Sequence, residues 1–222
     1  PLDEDASSIP AGVIRYSVKN TASEPIEVAI AGSTSNLAGV REFERTGWEN
    51  IRLDDDGINV YREYNGICGL FFQCEKLDVN HLHFGNIALA TPEANVTCKQ
   101  EWLRRGNWDG LPDFWEDFSS DGALERESGY VAINPGEYRT LKTGSISVKK
   151  TIQPGQSETY TFLLSWYFPN RMDNWEYDAC ACGNCEAHTV KNHYATRFTD
   201  AWDAAVHLNA NLSGLEARSR AF

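Results

Sequence analysis

The sequence lacks several features that mark common classes of protein. Its 222 residues include one Met, and its 20 Lys and Arg are outnumbered by 32 Asp and Glu. The formal net charge of -12 disfavours contact with phosphate backbones and with anionic membranes. No stretch approaches the roughly 18 consecutive apolar residues of a membrane-spanning helix. We therefore expect neither a nucleic-acid partner nor a transmembrane segment.

Common catalytic motifs are missing as well. We find no Ser-His-Asp order, no phosphate-binding glycine loop and no basic patch. The chain is instead rich in aromatic residues, which make up 12% of it and include seven Trp. A hydrophobic fraction of 41% is enough to build a core. The composition is that of a globular domain, and the many Trp beside a single Met favour rigid β structure.

Alternation of apolar and polar residues predicts strands along most of the chain. Residues 13–19 and 26–32 are predicted to form a hairpin around the polar break Asn20–Pro25. A second hairpin is predicted from Gly144 to Trp166, with Gln153–Gln156 as a type II turn. Further strands are expected at 58–63, 67–74, 81–90, 95–102 and 129–133. This spacing favours an antiparallel β-sandwich or a barrel.

The periodicity changes to about 3.6 residues after Pro169, which predicts a helix. Its apolar face comprises Tyr194, Phe198, Ala201, Trp202, Ala205 and Leu208. Asn211–Gly214 is expected to interrupt the helix, with Ser213 capping a second one. Residues 103–128 are predicted to be a long irregular segment, of a length that usually indicates a functional or interface loop.

Four segments in a shared order carry a family resemblance. They are Ser8–Val13, Tyr16–Thr21, Trp115–Gly122, and Ile152–Gln156 leading to Leu164–Pro169. Together they resemble the N-terminal domain of glycoside hydrolase family 116, the family of bile-acid β-glucosidase (non-lysosomal glucosylceramidase). One departure is the stretch 31–39, which lacks an aromatic residue expected in the family.

The resemblance implies an antiparallel, supersandwich-like β-sandwich that precedes an (α/α)6 barrel. In the family that barrel holds a Glu nucleophile and an Asp acid/base, which hydrolyse β-linked glucosides with retention. Neither catalytic motif has a counterpart in this sequence, so we expect the chain alone to be inactive. The domains predicted are a sandwich over 1–175, a Cys-rich connecting loop over 176–192 and a helical linker over 193–222 leading to the catalytic domain.

The resemblance also implies that the sandwich packs on its own catalytic domain and shapes the cleft for a carbohydrate or glycoside substrate. Candidate cleft or interface residues are Trp108, Asp113, Trp115, Asp117, Phe198 and Trp202. The acids among them could instead serve the turns of the loop. A different reading is a free-standing carbohydrate-binding module, in which Trp108 and Trp115 stack on sugar rings.

The six cysteines fall into two groups. Cys68, Cys74 and Cys98 lie in apolar, strand-like surroundings and are expected to be thiols. The second group, Cys180, Cys182 and Cys185 followed by His188, has the residue types of a structural zinc site. Loop thiols and a disulfide are the alternatives there, because the second half of the usual zinc motif is missing. We expect no other cofactor.

Overall fold

The structure is a computed structural model, and it describes residues 3–38, 57–103, 110–125, 141–173 and 189–221. Within these ranges the strands are β1 (Ala11–Lys19), β2 (Ile26–Ser35), β3 (Gly57–Tyr64), β4 (Ile67–Cys74), β5 (Asn86–Thr91), β6 (Val96–Lys99), β7 (Thr143–Ile152), β8 (Ser157–Tyr167), β9 (Asn170–Met172) and β10 (Thr189–Lys191). The helices are α1 (Glu4–Ser7), α2 (Gly110–Asp121), the 3-10 turn His193–Thr196 and α3 (Ala201–Arg220).

The strands form two facing sheets and a short ribbon. One sheet has five strands in the order β1-β8-β5-β4-β3, and the other has three in the order β2-β7-β6. Strands β9 and β10 form the ribbon, and every pair of neighbouring strands is antiparallel. The predicted antiparallel β-sandwich with a C-terminal helix is confirmed.

The core between the sheets follows from the alternation of side chains along each strand. Leu70 and Phe72 of β4 face Ile146 and Val148 of β7 across it, and all four are buried. Phe71 lies between Leu70 and Phe72 in the sequence, so its side chain points to the opposite face of the five-stranded sheet. There it belongs to a second apolar cluster. Because both faces of that sheet are buried, its central strands are apolar on both sides.

Both predicted hairpins are wrong. Strand β1 pairs with β8, and β2 pairs with β7, so each connection passes from one sheet to the other. The turn chemistry itself is as predicted, since Gly155 has φ +74 and the Gln156 N–H donates to the Gln153 carbonyl over 3.0 Å. A period of two reveals which face a residue occupies, but it does not reveal which strand lies alongside.

The two connections between the sheets are joined to each other through Asn20. The Asn20 N–H donates to the Gln156 carbonyl and the Gly155 N–H donates to the Asn20 carbonyl, each over 2.9 Å. The Asn20 side-chain amide donates to the carbonyls of Ile152 and Glu24, each over 2.8 Å. Asn20 is fully buried. One residue, through its backbone and its side chain, thus ties both connections together at the same end of the sandwich.

Helix α3 lies on the outer face of the five-stranded sheet. Phe198, Trp202 and Leu208 are buried there against Phe71 and Leu163. The apolar face predicted for this helix is correct. However, it is covered by the chain's own sheet, so Phe198 and Trp202 are not available as contacts for a second domain, which corrects that interpretation.

The predicted break in the C-terminal helix is also wrong, because α3 continues through Asn211–Gly214. Leu212 and Leu215 pack on the same apolar cluster as the rest of the helix. This packing outweighs the weak helix propensity of Asn, Ser and Gly.

The start of α3 is fixed by Asp200. Its Oδ1 accepts a hydrogen bond from the Asp203 N–H over 2.8 Å, and its Oδ2 lies 3.4 Å from the Arg62 guanidinium of β3. Asp200→Ala is expected to lower the free energy of unfolding by about 1 to 2 kcal/mol, measured by urea denaturation, because the capping bond is lost. Asp200→Asn retains the cap acceptor and should cost about half as much. Equal losses from the two variants would contradict the capping role.

Other predicted elements shift at their boundaries. Strand β5 begins at Asn86 rather than at 81, and β6 ends at Lys99 rather than at 102. The strand expected at 129–133 lies outside the described residues. Cys68, Cys74 and Cys98 are thiols, as predicted. Across the described ranges, no helix combines the length and the apolar character needed to cross a membrane.

Candidate functional surface on helix α2

Helix α2 covers part of the outer face of the three-stranded sheet. Its 12 residues lie within the segment predicted to be irregular, so that prediction is wrong for this part. Gly122, with φ +78, ends the helix, and its carbonyl accepts a hydrogen bond from the Ser147 hydroxyl of β7 over 2.7 Å. The Lys149 ammonium donates to the Asp121 carbonyl over 2.9 Å. These bonds hold the C-terminal end of α2 on β7.

A buried lysine holds the first half of the helix. Lys99, at the end of β6, is only 4% exposed. Its Nζ lies 3.2 Å from Asp113 Oδ2 and 3.1 Å from Asp117 Oδ2. The two carboxylates are four residues apart and so share one face of α2. One ammonium therefore anchors two successive turns of the helix to the sheet.

The charge state of Lys99 follows from this setting. Burial alone would lower the pKa of Lys99, but the hydrogen bonds and negative charges of Asp117 and Asp113 outweigh burial, so its pKa is raised. Lys99 is thus an ammonium at neutral pH. The cluster of two carboxylates and one ammonium has a net charge of about -1 when all three are ionised.

Aromatic rings fill the rest of the contact between α2 and the sheet. Trp102 stacks on Phe114 with ring centroids 4.7 Å apart, and Phe114 stacks on Phe118 at 5.8 Å. The Trp102 indole N–H donates to the Ser145 hydroxyl over 2.7 Å. The buried side of α2 is thus both apolar and hydrogen-bonded.

The other side of α2 presents apolar residues to solvent. Leu111 and Trp115 are each 59% exposed, and they lie four residues apart on one face. The Trp115 ring touches Phe118 at a centroid distance of 6.2 Å, so it extends the aromatic row outward from the sheet. A large apolar pair on a fixed helix is the kind of surface that binds a partner or a ligand.

Asp113 and Asp117 were candidates for contact with a sugar. A retaining glycosidase places two carboxyl groups about 5 to 5.5 Å apart on either side of a bond in the substrate. Here the Lys99 ammonium contacts both carboxylates, and each is 17% exposed. The arrangement is suited to anchoring the helix rather than to proton transfer or nucleophilic attack.

The remaining predicted site residues fall in two groups. Phe198 and Trp202 are buried in the apolar cluster between α3 and the five-stranded sheet. Trp108 and the predicted zinc ligands Cys180, Cys182, Cys185 and His188 lie outside the described residues. In the part of the chain that is described, no group of three or more His, Cys, Asp or Glu side chains could hold a metal ion. Zinc binding stays a prediction, checked by metal analysis of the purified protein.

Sequence reasoning missed two features of the surface. It did not single out Lys99, although a lysine that ends an apolar strand upstream of an acidic segment was a usable signal. The exposure of Trp166 on the five-stranded sheet, 40%, was not predicted either. Exposed Ile14 and Tyr16 of β1 lie on the same face of the sheet as Trp166. Trp166 lies near the end of β8, next to the edge strand β1 that carries Ile14 and Tyr16.

The fold and this surface define an antiparallel β-sandwich domain with a helix on the outer face of each sheet. The family model described as beta-glucosidase 2, glycosyl-hydrolase family 116 N-term matches residues 1–214. The chain therefore belongs to this family, as the N-terminal domain of a glycoside hydrolase.

Proposed function

We propose that this domain is the non-catalytic N-terminal sandwich of a retaining β-glucosidase-like enzyme, and that α2 forms its contact with the catalytic domain beside the substrate cleft. The observation that carries the proposal is the exposed pair Leu111 and Trp115 on a helix that the buried Lys99 fixes in place. Family membership supports a catalytic partner domain.

The physical case rests on preorganisation. Forming an interface costs the entropy of ordering its side chains, and this cost falls when the contacting element is already rigid. Helix α2 is bound to the sheet through Lys99, Ser147 and the stacked ring of Trp102. Trp115 therefore starts from a defined position, and burying such a ring at the centre of an interface commonly contributes much of the binding energy.

The non-catalytic role is supported by the state of the acids. Asp113 and Asp117, which sequence reasoning had placed among the aromatic residues of this segment, contact the Lys99 ammonium. In our proposal the nucleophile and the acid/base belong to the catalytic domain. The chain by itself should then show no turnover of an aryl β-glucoside above background. Turnover that Asp117→Asn abolishes would place catalysis here instead.

Trp115→Ala in the full-length enzyme tests the contact. If Trp115 forms part of the wall beside the cleft, kcat/KM for an aryl β-glucoside should fall at least about threefold, because small displacements of positioning groups carry large kinetic costs. The matched control is Tyr64→Ala, since Tyr64 is 66% exposed on β3 at the edge of the five-stranded sheet. Equal kinetics for the two variants and the parent would reject the assignment of α2.

A carbohydrate-binding module is the second candidate, and the exposed ring of Trp115 favours it. Calorimetry of the 222-residue chain with glucans and glucosides distinguishes the two. Saturable heat that Trp115→Ala abolishes supports the module. Absence of heat together with an effect of Trp115→Ala on the full-length enzyme supports the domain contact.

A further inference from the structure

Strand β1 lies at one edge of the five-stranded sheet, and no described strand pairs with its outer side. All nine of its residues stay in unbroken register with β8. The Trp166 N–H donates to the Pro10 carbonyl over 3.0 Å. Because the direction of the backbone N–H and C=O groups alternates along a strand, those of the even-numbered residues of β1 point toward β8. Those of Val13, Arg15 and Ser17 therefore point outward. An edge of this length, without a bulge or an internal proline, is a template for another strand.

The side chains near this edge are apolar and exposed. Ile14 is 44% exposed, Tyr16 is 52% exposed and Trp166 of β8 is 40% exposed. Their side chains point to the same side of the sheet as Val18, which packs on the core between the sheets. The three-stranded sheet is narrower than the five-stranded one, and it leaves these side chains uncovered.

We propose that the β1 edge binds β1 of a second copy of this chain, with the two strands antiparallel and Ile14 opposite its own copy. In that register Tyr16 faces Gly12 of the second chain, and Val13 faces Arg15. The outward backbone groups of Val13 and Arg15 then form the hydrogen-bonded pairs, which joins the two sheets into one. This proposal is independent of the role proposed for α2.

Complementarity between the side chains selects this register. A Cβ atom added at Gly12 would meet nothing within 4 Å, so the surface above Gly12 is open. A tyrosine ring from the opposite strand can lie in that space, an arrangement known to stabilise glycine within sheets. The Ile14 pair beside it buries further apolar surface from both copies.

Neighbouring registers are poorer. Centring the pair on Arg15 places two like charges directly opposite each other, which destabilises a strand pair. Centring it on Val13 requires the N–H of Ala11, which already donates to the Ile9 carbonyl over 2.8 Å. In the register centred on Ile14, Ala11 lies opposite Ser17 at the end of the ladder, so the bond missing there leaves the central pairs of Val13 with Arg15 intact.

Charge also predicts how the association responds to salt. Each chain has a formal net charge of -12, so two copies repel each other at long range. Raising the ionic strength from 0.05 to about 0.5 M screens this repulsion and should strengthen the dimer. The contact itself is backbone hydrogen bonding and apolar burial, which salt does not weaken.

Cysteine cross-linking tests the register. In Ile14→Cys the two introduced thiols would face each other at a pair whose Cα atoms lie about 4.5 Å apart, a distance that a disulfide spans. Mild oxidation by diamide should then give a covalent dimer on non-reducing gels. Tyr16→Cys faces Gly12 and should cross-link at least about fivefold less, and the parent chain controls for the native cysteines. Equal cross-linking of the two variants would overturn the register.

Sedimentation velocity over a dilution series tests the association itself. The parent chain should show a monomer–dimer equilibrium. Arg15→Pro removes an outward N–H without removing a bond to β8. The protein concentration at which half of the chain is dimeric should therefore rise at least about tenfold. Arg15→Ala is the matched control. Like Arg15→Pro it removes the ion pair with Glu216, but it keeps the backbone N–H, so this variant should remain dimeric. A parent chain that is monomeric at every concentration, or a dimer that Arg15→Pro leaves unchanged, would overturn the proposal.

Discussion

Replacing Lys99 with methionine is expected to lower the free energy of unfolding by about 3 kcal/mol, because it leaves two carboxylates beside a buried apolar chain with no ammonium to compensate them. The partial exposure of Asp113 and Asp117, 17% each, places the expected loss at the low end of the range for buried pairs. Urea denaturation followed by tryptophan fluorescence measures it, since Trp102 packs against α2 and Trp115 is a residue of that helix.

Two further variants separate the charge from the packing. Lys149→Met, a lysine on the same sheet face that is 35% exposed, should cost less than about 1 kcal/mol. Adding Asp113→Asn and Asp117→Asn to Lys99→Met should restore part of the loss, because it removes the uncompensated charges. A loss below about 1 kcal/mol from Lys99→Met itself would show that the cluster does not hold α2.

The raised pKa of Lys99 gives a second measurement. Its contribution to stability is fully present below the ordinary lysine pKa of about 10.4, and it is lost as pH rises through the higher pKa of the folded state. The parent chain should therefore lose more stability than Lys99→Met between pH 9 and 11. Equal slopes for the two proteins would contradict the direction of the shift.

Asn20→Ala is expected to cost about 2 to 4 kcal/mol. The amide of this fully buried side chain donates to Ile152 and Glu24, and its oxygen accepts from the Ala22 N–H over 2.8 Å. Alanine would leave the buried Ile152 carbonyl unsatisfied and would also remove the part-buried bonds to the Glu24 carbonyl and from the Ala22 N–H, each at a cost of about 1 kcal/mol. Urea denaturation at neutral pH measures the loss.

Asn211→Ala is the matched control, because Asn211 is exposed on α3 and its side chain donates only to the His207 carbonyl of its own helix. This change should stay within about 0.5 kcal/mol of the parent or stabilise it slightly, since alanine is the better helix former. Similar effects from Asn20→Ala and Asn211→Ala would mean that the side-chain hydrogen bonds of Asn20 contribute little to the free energy of unfolding.

Much of the fold could be predicted from the sequence, and the failures have a common cause. The alternation of Ile146 and Val148 with serines located β7, and the period of 3.6 located the apolar face of α3 that contains Trp202. Which strands pair is decided by contacts between residues that are far apart in the sequence, and a local pattern does not contain this information. Hence both hairpins were predicted from strands that belong to different sheets.

The candidate surface was predicted only in part. The sequence named Trp115 as a candidate for the cleft, a domain interface or sugar stacking, and its side chain is 59% exposed. It could not reveal that Asp113 and Asp117 converge on Lys99, because the helix that aligns them is stabilised by packing against Trp102 rather than by its own propensity. Polar residues such as Ser145 and Ser147 of β7 would be expected to face solvent, yet they are buried beside α2.

The pairing of β1 with β8 has a consequence for synthesis on the ribosome. Ala11 meets Ser165, so β1 gains its neighbouring strand among the described residues only after most of the domain has been translated. Folding that depends on such distant partners is slow, and the waiting strand is a site for misassembly or chaperone capture. Substitutions in β1 should therefore lower the yield of folded protein in cells, and the effect should be larger than the small number of core residues in β1 suggests.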